Sequence, residues 1–403
     1  MGVKNDIPHG YKQTELGIIP EDWEVVAFKD LGSFSKGSGI SRAEANTGRI
    51  PCIRYGELYT HHNDYVKSFN SFISQEVASK AKLIKNGDIL FAASGETKED
   101  IGKSVAYTNL HEAYAGGDII IVSTNSFICD AKYIGYASNA PIAAKQKATR
   151  GQGDAVVHIT TESIKSIAIP LPPLPEQQAI AEALSDVDDL IAALDKKIAK
   201  KRLVKQGAMQ QLLTGKKRLP GFTEEWVEKK LGDISRIKTG SRNGDEAIEN
   251  GKYPFFVRSQ KIYSIDSYSF EGEAILVPGE GGIGNIFHYV NGKFDYHQRV
   301  YKISNFSDSI CGKYVYFYMT RYFGEYALSL TVKATVDSLR LPTFKEFVIK
   351  APVDIKEQQA IAAILSDMDK EIANLEKQRE NYCLLKSGMM QKLLTGQIRL
   401  KTK

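Results

Sequence analysis

Glu176-Gln177-Gln178-Ala179-Ile180-Ala181 returns unchanged as Glu357-Gln358-Gln359-Ala360-Ile361-Ala362, and reading that hexapeptide as the start of a long helix, twice, decides how the chain is organised. The match continues at a constant offset. Leu184, Ser185, Asp186 and Asp188 recur as Leu365, Ser366, Asp367 and Asp369, and Gly207, Met209, Gln210, Leu212, Leu213, Thr214 and Gly215 recur as Gly388, Met390, Gln391, Leu393, Leu394, Thr395 and Gly396. Short solenoid repeats have periods of about 20 to 50 residues. The unit repeated here is far longer, so the chain reads as a tandem of two halves, each a globule followed by a helix.

Within the helices, apolar residues step by four and three. They are Ile180, Leu184, Val187, Ile191, Leu194 and Ile198 in the first copy, and Ile361, Leu365, Met368, Ile372 and Leu375 in the second. That spacing is a coiled-coil seam. Continued, the seam meets Lys201 and Lys205 in one copy and Arg379, Tyr382 and Lys386 in the other, before apolar residues return at Ala208, Leu212, Met389 and Leu393. A polar stretch inside a seam fixes register at a cost in stability. Pro175 suits a first helical position, Asp354 with Glu357 three residues on caps the second helix, and Thr214-Gly215 and Thr395-Gly396 close the two. From 176 to 213 the helix would run about 57 Å at ~1.5 Å per residue. Its single apolar stripe needs a partner, and the duplicate supplies one. Gly207 and Gly388 each cost roughly 1 kcal/mol against alanine in a helix, which predicts another backbone passing close by.

The chain's 403 residues leave room for about two or three domains. A hydrophobic content of 42% with 25% charged residues is that of a soluble globular protein. No 18-residue apolar run occurs and residues 1–11 lack the apolar core of a signal peptide, so the expected location is the cytoplasm, with no membrane partner. Cys52, Cys129, Cys311 and Cys383 stand far apart, which argues against a zinc ribbon or a disulfide framework and for reduced structural thiols. The net charge of +5 is concentrated: nine basic residues and no acidic one lie between 196 and 218, and seven basic residues with only Glu380 lie between 377 and 403. Such clusters are either phosphate contacts or solvated helix faces.

The expected divisions are a lead-in at 1–19, a globule at 20–173, a helix at 174–215, a second globule at 216–353, a second helix at 354–397 and a basic tail at 398–403. The only tryptophans, Trp23 and Trp226, each precede a globule and read as anchors packing its start against a helix. Short apolar runs bounded by Gly, Asn and Asp predict strands at 50–54, 88–92 and 118–123 in the first globule and at 255–258, 274–277, 286–290 and 299–303 in the second. Asn291-Gly292 predicts a tight hairpin turn. Helices are expected at 75–81, 131–136 and 312–326, making each globule a mixed α and β unit and the fold class α+β. Residues 48–54 and 251–258 align as strands ending in Ile53-Arg54 and Val257-Arg258, and 87–102 and 272–284 both read as a strand and a glycine-rich loop. Beyond that the globules diverge, as two different readers on one frame would.

Catalytic signatures are sparse. Gly279-Glu280-Gly281-Gly282-Ile283-Gly284 matches a dinucleotide fingerprint, but a helix must follow such a loop to receive the phosphate, and here a strand is predicted. Asp88, Glu96 and Lys98 loosely resemble a Mg²⁺-dependent nuclease triad. Neither an Asn/Asp-Pro-Pro-Tyr tetrad nor a P-loop, H-E-x-x-H or G-x-S-x-G motif occurs, and His61-His62 lacks a second ligand pair. No catalytic, cofactor or metal residue is therefore assigned. Binding chemistry is present instead. Arginine favours guanine, Asn or Gln favours adenine, and lysine grips phosphate. Candidates are Arg54, Tyr55, Lys98, Lys103, Lys145, Lys147 and Arg150 in the first globule, and Arg242, Asn243, Arg258, Gln260, Lys261, Arg299 and Lys333 in the second.

The chain resembles the specificity subunit of type I restriction-modification systems. The resemblance rests on residues 172–181 (Pro-Pro-Leu-Pro-Glu-Gln-Gln-Ala-Ile-Ala), on 207–215 and the second copies of both, on the lead-ins 19–23 and 219–222, and on Tyr114-Ala115-Gly116-Gly117-Asp118-Ile119-Ile120. Lys356 stands where Pro175 does in the first copy. The resemblance implies two target-recognition domains, each reading half of a bipartite site in double-stranded DNA. It implies two helices paired antiparallel as a ruler in a pseudo-two-fold arrangement. Two methyltransferase subunits would dock there and ATP-driven restriction subunits would join them, while the chain itself is non-catalytic and needs no cofactor; the free subunit is open to self-association. The rivals are a sequence-specific nuclease using Asp88, Glu96 and Lys98, and a coiled-coil adapter without DNA contact.

Overall fold

A computed structural model describes residues 7–282, 284–330 and 338–400. Two helices of 39 residues, Leu174–Leu212 and Ile355–Leu393, run through it. The chain divides into two compact units whose borders fall inside those helices. Unit 1 is Met1–Ala193 with Arg379–Lys403, and unit 2 is Leu194–Gln378. Each unit thus joins one globule to the head of the helix that follows it and to the tail of the other helix.

In unit 1 the two largest sheets are built from β1 (Gly32–Lys36), β2 (Ile50–Ile53), β3 (Ser71–Ile73), β4 (Lys82–Ile84), β5 (Asp88–Ala92), β6 (Ser104–Ala106), β7 (Ala113–Ala115) and β8 (Ile119–Thr124). They form two four-stranded sheets, ordered β6-β5-β8-β1 and β3-β2-β7-β4. The first is antiparallel throughout, with Leu90 opposite Ile121; the second contains a parallel pair, Cys52 opposite Tyr114 and Ile53 opposite Ala115. All five residues of β5 are buried, and after Asp88 it is an unbroken apolar run rather than an alternation. Phe91 meets Phe28 edge to face at 5.1 Å, and the same core takes in Tyr133, Ile180, Leu184, Leu393 and Leu394.

Unit 2 contains β9 (Arg236–Thr239), β10 (Tyr253–Phe256), β11 (Ile262–Ile265), β12 (Phe270–Pro278), β13 (His288–Tyr296) and β14 (Val300–Ser304), in one six-stranded sheet ordered β9-β14-β12-β13-β10-β11. Apart from β4, which has no counterpart here, this is the plan of unit 1, including the parallel pair, here Phe255 opposite Asp295 and Phe256 opposite Tyr296. The difference is that β13 does alone what β6 and β7 do separately, pairing with β12 along one part and with β10 at its end.

That difference corrects the hairpin expectation. Asn291-Gly292 lies inside β13, with Gly292 opposite Gly272 and both at positive φ, 146° and 135°. Facing glycines let the ladder bend where the sheet turns toward β10, which is what glycine does inside a strand when it is not a turn residue. The parallel pairs also correct the alignment of the halves. Ile53 is equivalent to Phe256, since Gly116 N–H donates to Ile53 O and His297 N–H to Phe256 O, both at 2.9 Å. Arg54 therefore occupies the place of Val257, and Tyr55 that of Arg258.

The predicted strands and helices are otherwise present, with boundaries shifted by a few residues; the helix expected at 75–81 is the single turn Gln75–Ala78. The cysteines are free, and burial pushes the Cys52 thiol up to about 12. Among the described residues, no helix is long and apolar enough to cross a membrane.

The repeated hexapeptide works through its polar members. In unit 1, Gln177 is fully buried: its Nε2 donates to Pro172 O at 2.8 Å and Ile128 O at 2.9 Å, and its Oε1 accepts from Asp130 N–H at 2.8 Å. Gln358 repeats this in unit 2 with Pro352 O, Ser309 O and Cys311 N–H. Each glutamine thus ties the start of a long helix to the loop before a globule helix, Ala131–Asn139 or Gly312–Leu330. Each preceding glutamate is buried and meets an arginine from beyond the end of the other helix: Glu176 takes Arg399, and Glu357 takes Arg218. Trp23 is buried and donates to Glu176, which makes it the expected anchor.

The seam is buried where it meets a globule. Ile180 and Leu184 in unit 1, and Ile361 and Leu365 in unit 2, are at most 1% exposed. Val187 is also buried, Ile191 and Met368 are half-buried, and Ile198, Ile372 and Leu375 form a small cluster with Leu194. The polar middle is filled by ion pairs, among them Lys201–Glu371 at 2.7 Å and Arg202–Glu376 at 2.6 Å in unit 2. Glu176 and Asp188 meet Arg399 and Lys386 in unit 1, and Lys201, Lys205 and Arg218 meet Glu371, Asp369 and Glu357 in unit 2, so the paired stretches run antiparallel within each unit.

The expectation for the helix glycines is not met. A Cβ at Gly207 or Gly388 would have nothing within 4 Å. Gly207→Ala and Gly388→Ala should therefore each stabilise the free chain by about 1 kcal/mol. Thermal melts in which neither variant gains stability would show that these positions are constrained in the folded chain after all.

Candidate nucleic-acid interface

Unit 2 gathers most of its predicted residues at one edge. β10 ends at Phe256, and Arg258, Gln260 and Lys261 follow on the exposed connection to β11. The glycine-rich segment after β12 lies beside them: Gln260 Nε2 donates to Asn285 O at 3.4 Å, and Arg258 Nη1 sits 3.3 Å from Glu280 Oε2. Arg299, from the turn between β13 and β14, reaches the other oxygen of the same carboxylate. That turn also brings Gln298 to Asn243 Oδ1 at 2.7 Å. Burial, reinforced by the charges of Arg258 and Arg299, holds the imidazole of buried His297 below the ordinary value. Lys261 Nζ stands 5.0 Å from the centre of the Tyr263 ring.

Arg242 is held by three side chains of its own unit. Its Nε meets Asp295 at 3.2 Å, Nη1 meets Glu246 at 2.8 Å and Nη2 meets Ser267 Oγ at 2.8 Å, so the guanidinium braces the loop that carries Asn243. Lys333 lies outside the described residues.

In unit 1, Arg54 and Tyr55 open the helix Tyr55–Thr60 and line a cleft of about 860 Å³ with Ser41, Arg42, Asn70 and Asp118. Tyr55 is 42% exposed. Arg54 is held by Glu57, whose carboxylate is buried; burial raises its pKa, but hydrogen bonds from Ser71, the Arg54 backbone and Asn70 outweigh that and keep it below the usual range. Exposed Arg42 was not singled out from the sequence, and only the approach of residues 39–42 to the Gly116-Gly117 turn brings it here. Lys98 and Lys145 are exposed, Lys98 in the loop after β5.

The remaining candidates of unit 1 are engaged within the fold. Lys147 is 3% exposed and donates from Nζ to Gly102 O at 2.7 Å, with burial pushing its ammonium down to about 7. A lysine so enclosed cannot reach a phosphate. Lys103 is largely buried and likewise lowered, near Asp64 and Lys386. Arg150 donates from Nε to Ser166 Oγ and from Nη1 to Gln146 O, both at 2.9 Å. Periodicity and charge could not separate these from surface lysines and arginines, because the partners are carbonyls brought in by the fold.

The nuclease arrangement does not form. Asp88 is 5% exposed and accepts the Lys85 N–H at 2.8 Å at the start of β5, whereas exposed Glu96 and Lys98 lie beyond that strand's other end. Among the described residues no group of three or more His, Cys, Asp or Glu is placed to hold a metal ion. The glycine-rich loop of unit 2 is followed by β13 and not by a helix, as expected.

The family described as type I restriction modification DNA specificity domain matches residues 20–201 and 223–382. The type I restriction enzyme MjaVIII specificity subunit of Methanocaldococcus jannaschii is 26% identical over 95% of this chain and 94% of its own. The putative MjaX specificity subunit of the same organism is 28% identical over 97% of each. Among solved structures, the type I restriction-modification S subunit from M. genitalium superposes with a TM-score of 0.68 at 16% identity, covering 98% of both chains. A chain from a structural study of type I R-M complex assembly gives 0.52, also at 16% identity, over 94% of this chain and 99% of that one. These structures share the fold. With both halves of the chain matched, the protein belongs to the family of type I restriction-modification DNA specificity subunits.

Proposed function

We propose that the globules at 20–173 and 216–353 are target-recognition domains, each reading one half of a bipartite site in double-stranded DNA, and that the long helices set the spacing between the half-sites. The observation that carries this is one strand plan bearing two different polar surfaces: Arg42, Arg54 and Tyr55 around a cleft in unit 1, and Arg258, Arg299 and Gln260 around a glycine-rich loop in unit 2. A common frame with unlike contact residues suits two unlike half-sites. Helices of 39 residues, about 58 Å at ~1.5 Å per residue, exceed the ~34 Å of one DNA turn and so are long enough to act as a ruler.

Methyltransferase subunits dock on the helices in this scheme. Leu203 and Val204, 68% and 49% exposed, precede Gly207 by one turn, and their repeats Leu384 and Leu385, 66% and 50% exposed, precede Gly388 in the same way. Open glycines beside exposed apolar side chains admit the close approach of a partner helix. Restriction subunits join that complex, and methylation and cleavage are theirs and the methyltransferases'; the specificity subunit supplies the address.

Methylome sequencing of the host tests the site. Two short motifs separated by a fixed run of unspecified bases are expected, and a single continuous motif would refute the scheme. Deleting one heptad between Ala192 and Arg202 should change the spacer or abolish binding while leaving the half-sites as they were. An active deletion variant with the original spacing would show that the helices are not the ruler.

A further inference from the structure

Glu280 is the acidic member of an otherwise basic edge. Its side chain is 20% exposed, while those of Arg258 and Arg299, which flank it on its two oxygens, are 50% and 55% exposed. The carboxylate is set by its backbone. Glu280 forms an antiparallel bridge with Ser338, Gly279 N–H donates to Arg299 O at 2.8 Å, and Leu339 N–H donates to Gly279 O at 2.7 Å. Arg299 is fixed in turn, its N–H donating to His297 Nδ1 at 3.0 Å and the Val300 N–H to His297 O at 2.9 Å.

We propose that Glu280 is a specificity-determining residue: its carboxylate holds Arg258 and Arg299 as a fixed pair of donors and cancels part of their charge, favouring a matching base edge over an arbitrary phosphate. This rests on the reading of unit 2 as a DNA-binding domain. A guanidinium carries five N–H donors, and Glu280 engages each arginine through one nitrogen, leaving most donors facing outward. Bidentate recognition of a base needs those donors in a set orientation, whereas attraction to phosphate needs only charge. One carboxylate between two guanidiniums supplies the orientation and removes one unit of charge. Ion pairs this exposed contribute little to stability, so the cluster is poorly explained as a fold-stabilising device. In unit 1, among the described residues, Glu57 pairs with one arginine, Arg54.

The test uses the full complex with its methyltransferase subunits. Affinity is measured for a duplex carrying the methylome-defined site and for a scrambled duplex, across a range of salt. Glu280→Gln should tighten binding to the scrambled duplex about fivefold, steepen its salt dependence by roughly 0.9 on the log-log scale as one more phosphate contact would, and improve the specific duplex at most about twofold. Glu280→Asp should keep wild-type discrimination, and Glu280→Gln should have no effect once Arg258 and Arg299 are both alanine. The proposal is overturned if Glu280→Gln shifts both duplexes equally or neither, or if it prevents assembly while Glu280→Asp assembles, since Glu280 would then be structural. A wild-type complex that does not prefer its own site would instead overturn the DNA-reading function on which the proposal stands.

Discussion

Replacing Lys386 with methionine should destabilise unit 1 by about 3 to 5 kcal/mol, the cost of leaving buried charges without their partner. Lys386 lies on the second long helix with its side chain 14% exposed, and its ammonium meets Asp64 at 2.7 Å and Asp188 at 2.8 Å, carboxylates that are 7% and 9% exposed. Tyr136 OH donates to Asp188 at 2.6 Å and Asn139 to Asp64 at 3.0 Å, so the network joins the globule to both helices. The repeat supplies an internal control. Lys205 and Asp369 are the same pair one repeat away in unit 2, but there the side chains are 21% and 43% exposed. Solvent screens that pair, and Lys205→Met should cost about 1 kcal/mol or less. Hydrogen exchange resolved by unit measures both, and equal effects would show that burial does not set the cost.

The pH dependence follows from the sign of the shift at Lys386. Burial lowers its pKa, but the charges of Asp64 and Asp188 and their hydrogen bonds outweigh burial and leave it above the ordinary lysine value. A raised lysine stabilises the fold below its unfolded value of about 10.4 and loses that contribution as pH rises through the folded one. Wild type and Lys386→Met should therefore differ by a constant amount between about pH 7 and 9 and converge only under strongly alkaline conditions.

The helices and their duplication were legible because a 3.6-residue period and a repeated polar start are local signals. The mixed character of the globules was legible too, from short apolar runs. Long-range geometry was not. Asn291-Gly292 has the composition of a turn, and only the continuation of β13 from β12 to β10 makes it mid-strand. Lys147 and Lys98 look alike in sequence; Gly102 O and the enclosing core put one inside and leave the other exposed. Arg258, Glu280 and Arg299 became one cluster only when the glycine-rich segment folded against the β13–β14 turn. The Glu-Gln pair was recognised as a mark of duplication, but its role required partners from the opposite helix end.

Those partners give the second large effect. Arg218→Ala should destabilise unit 2 by about 3 to 4 kcal/mol, and Arg399→Ala should destabilise unit 1 by only about 2 kcal/mol, although the arginines are repeats of one another. Arg218 donates from Nε and Nη2 to the two oxygens of Glu357, both at 2.7 Å, and the glutamate side chain is 0% exposed. Arg399 does the same to Glu176 at 2.7 Å and also holds Asp22 at 2.8 and 2.9 Å; its side chain is 37% exposed against 30% for Arg218, so screening separates the two only slightly. The tryptophans set the larger difference. Trp23 Nε1 donates to Glu176 at 3.1 Å, so removing Arg399 leaves that carboxylate one donor. Among the described residues Trp226 Nε1 is buried without a partner, so removing Arg218 strands Glu357. The Arg399→Ala deficit should also shrink in acid. Asp22 is held below the usual carboxylate range chiefly by its hydrogen bond to Arg399, so its share of the wild-type stability is present above the unfolded value of about 4 and lost as pH falls through the folded one. Replacing Arg218 and Glu357 together by leucines should recover much of the loss, because no buried charge then remains. Equal costs for the two arginine variants would mean that the tryptophan N–H does not distinguish the units.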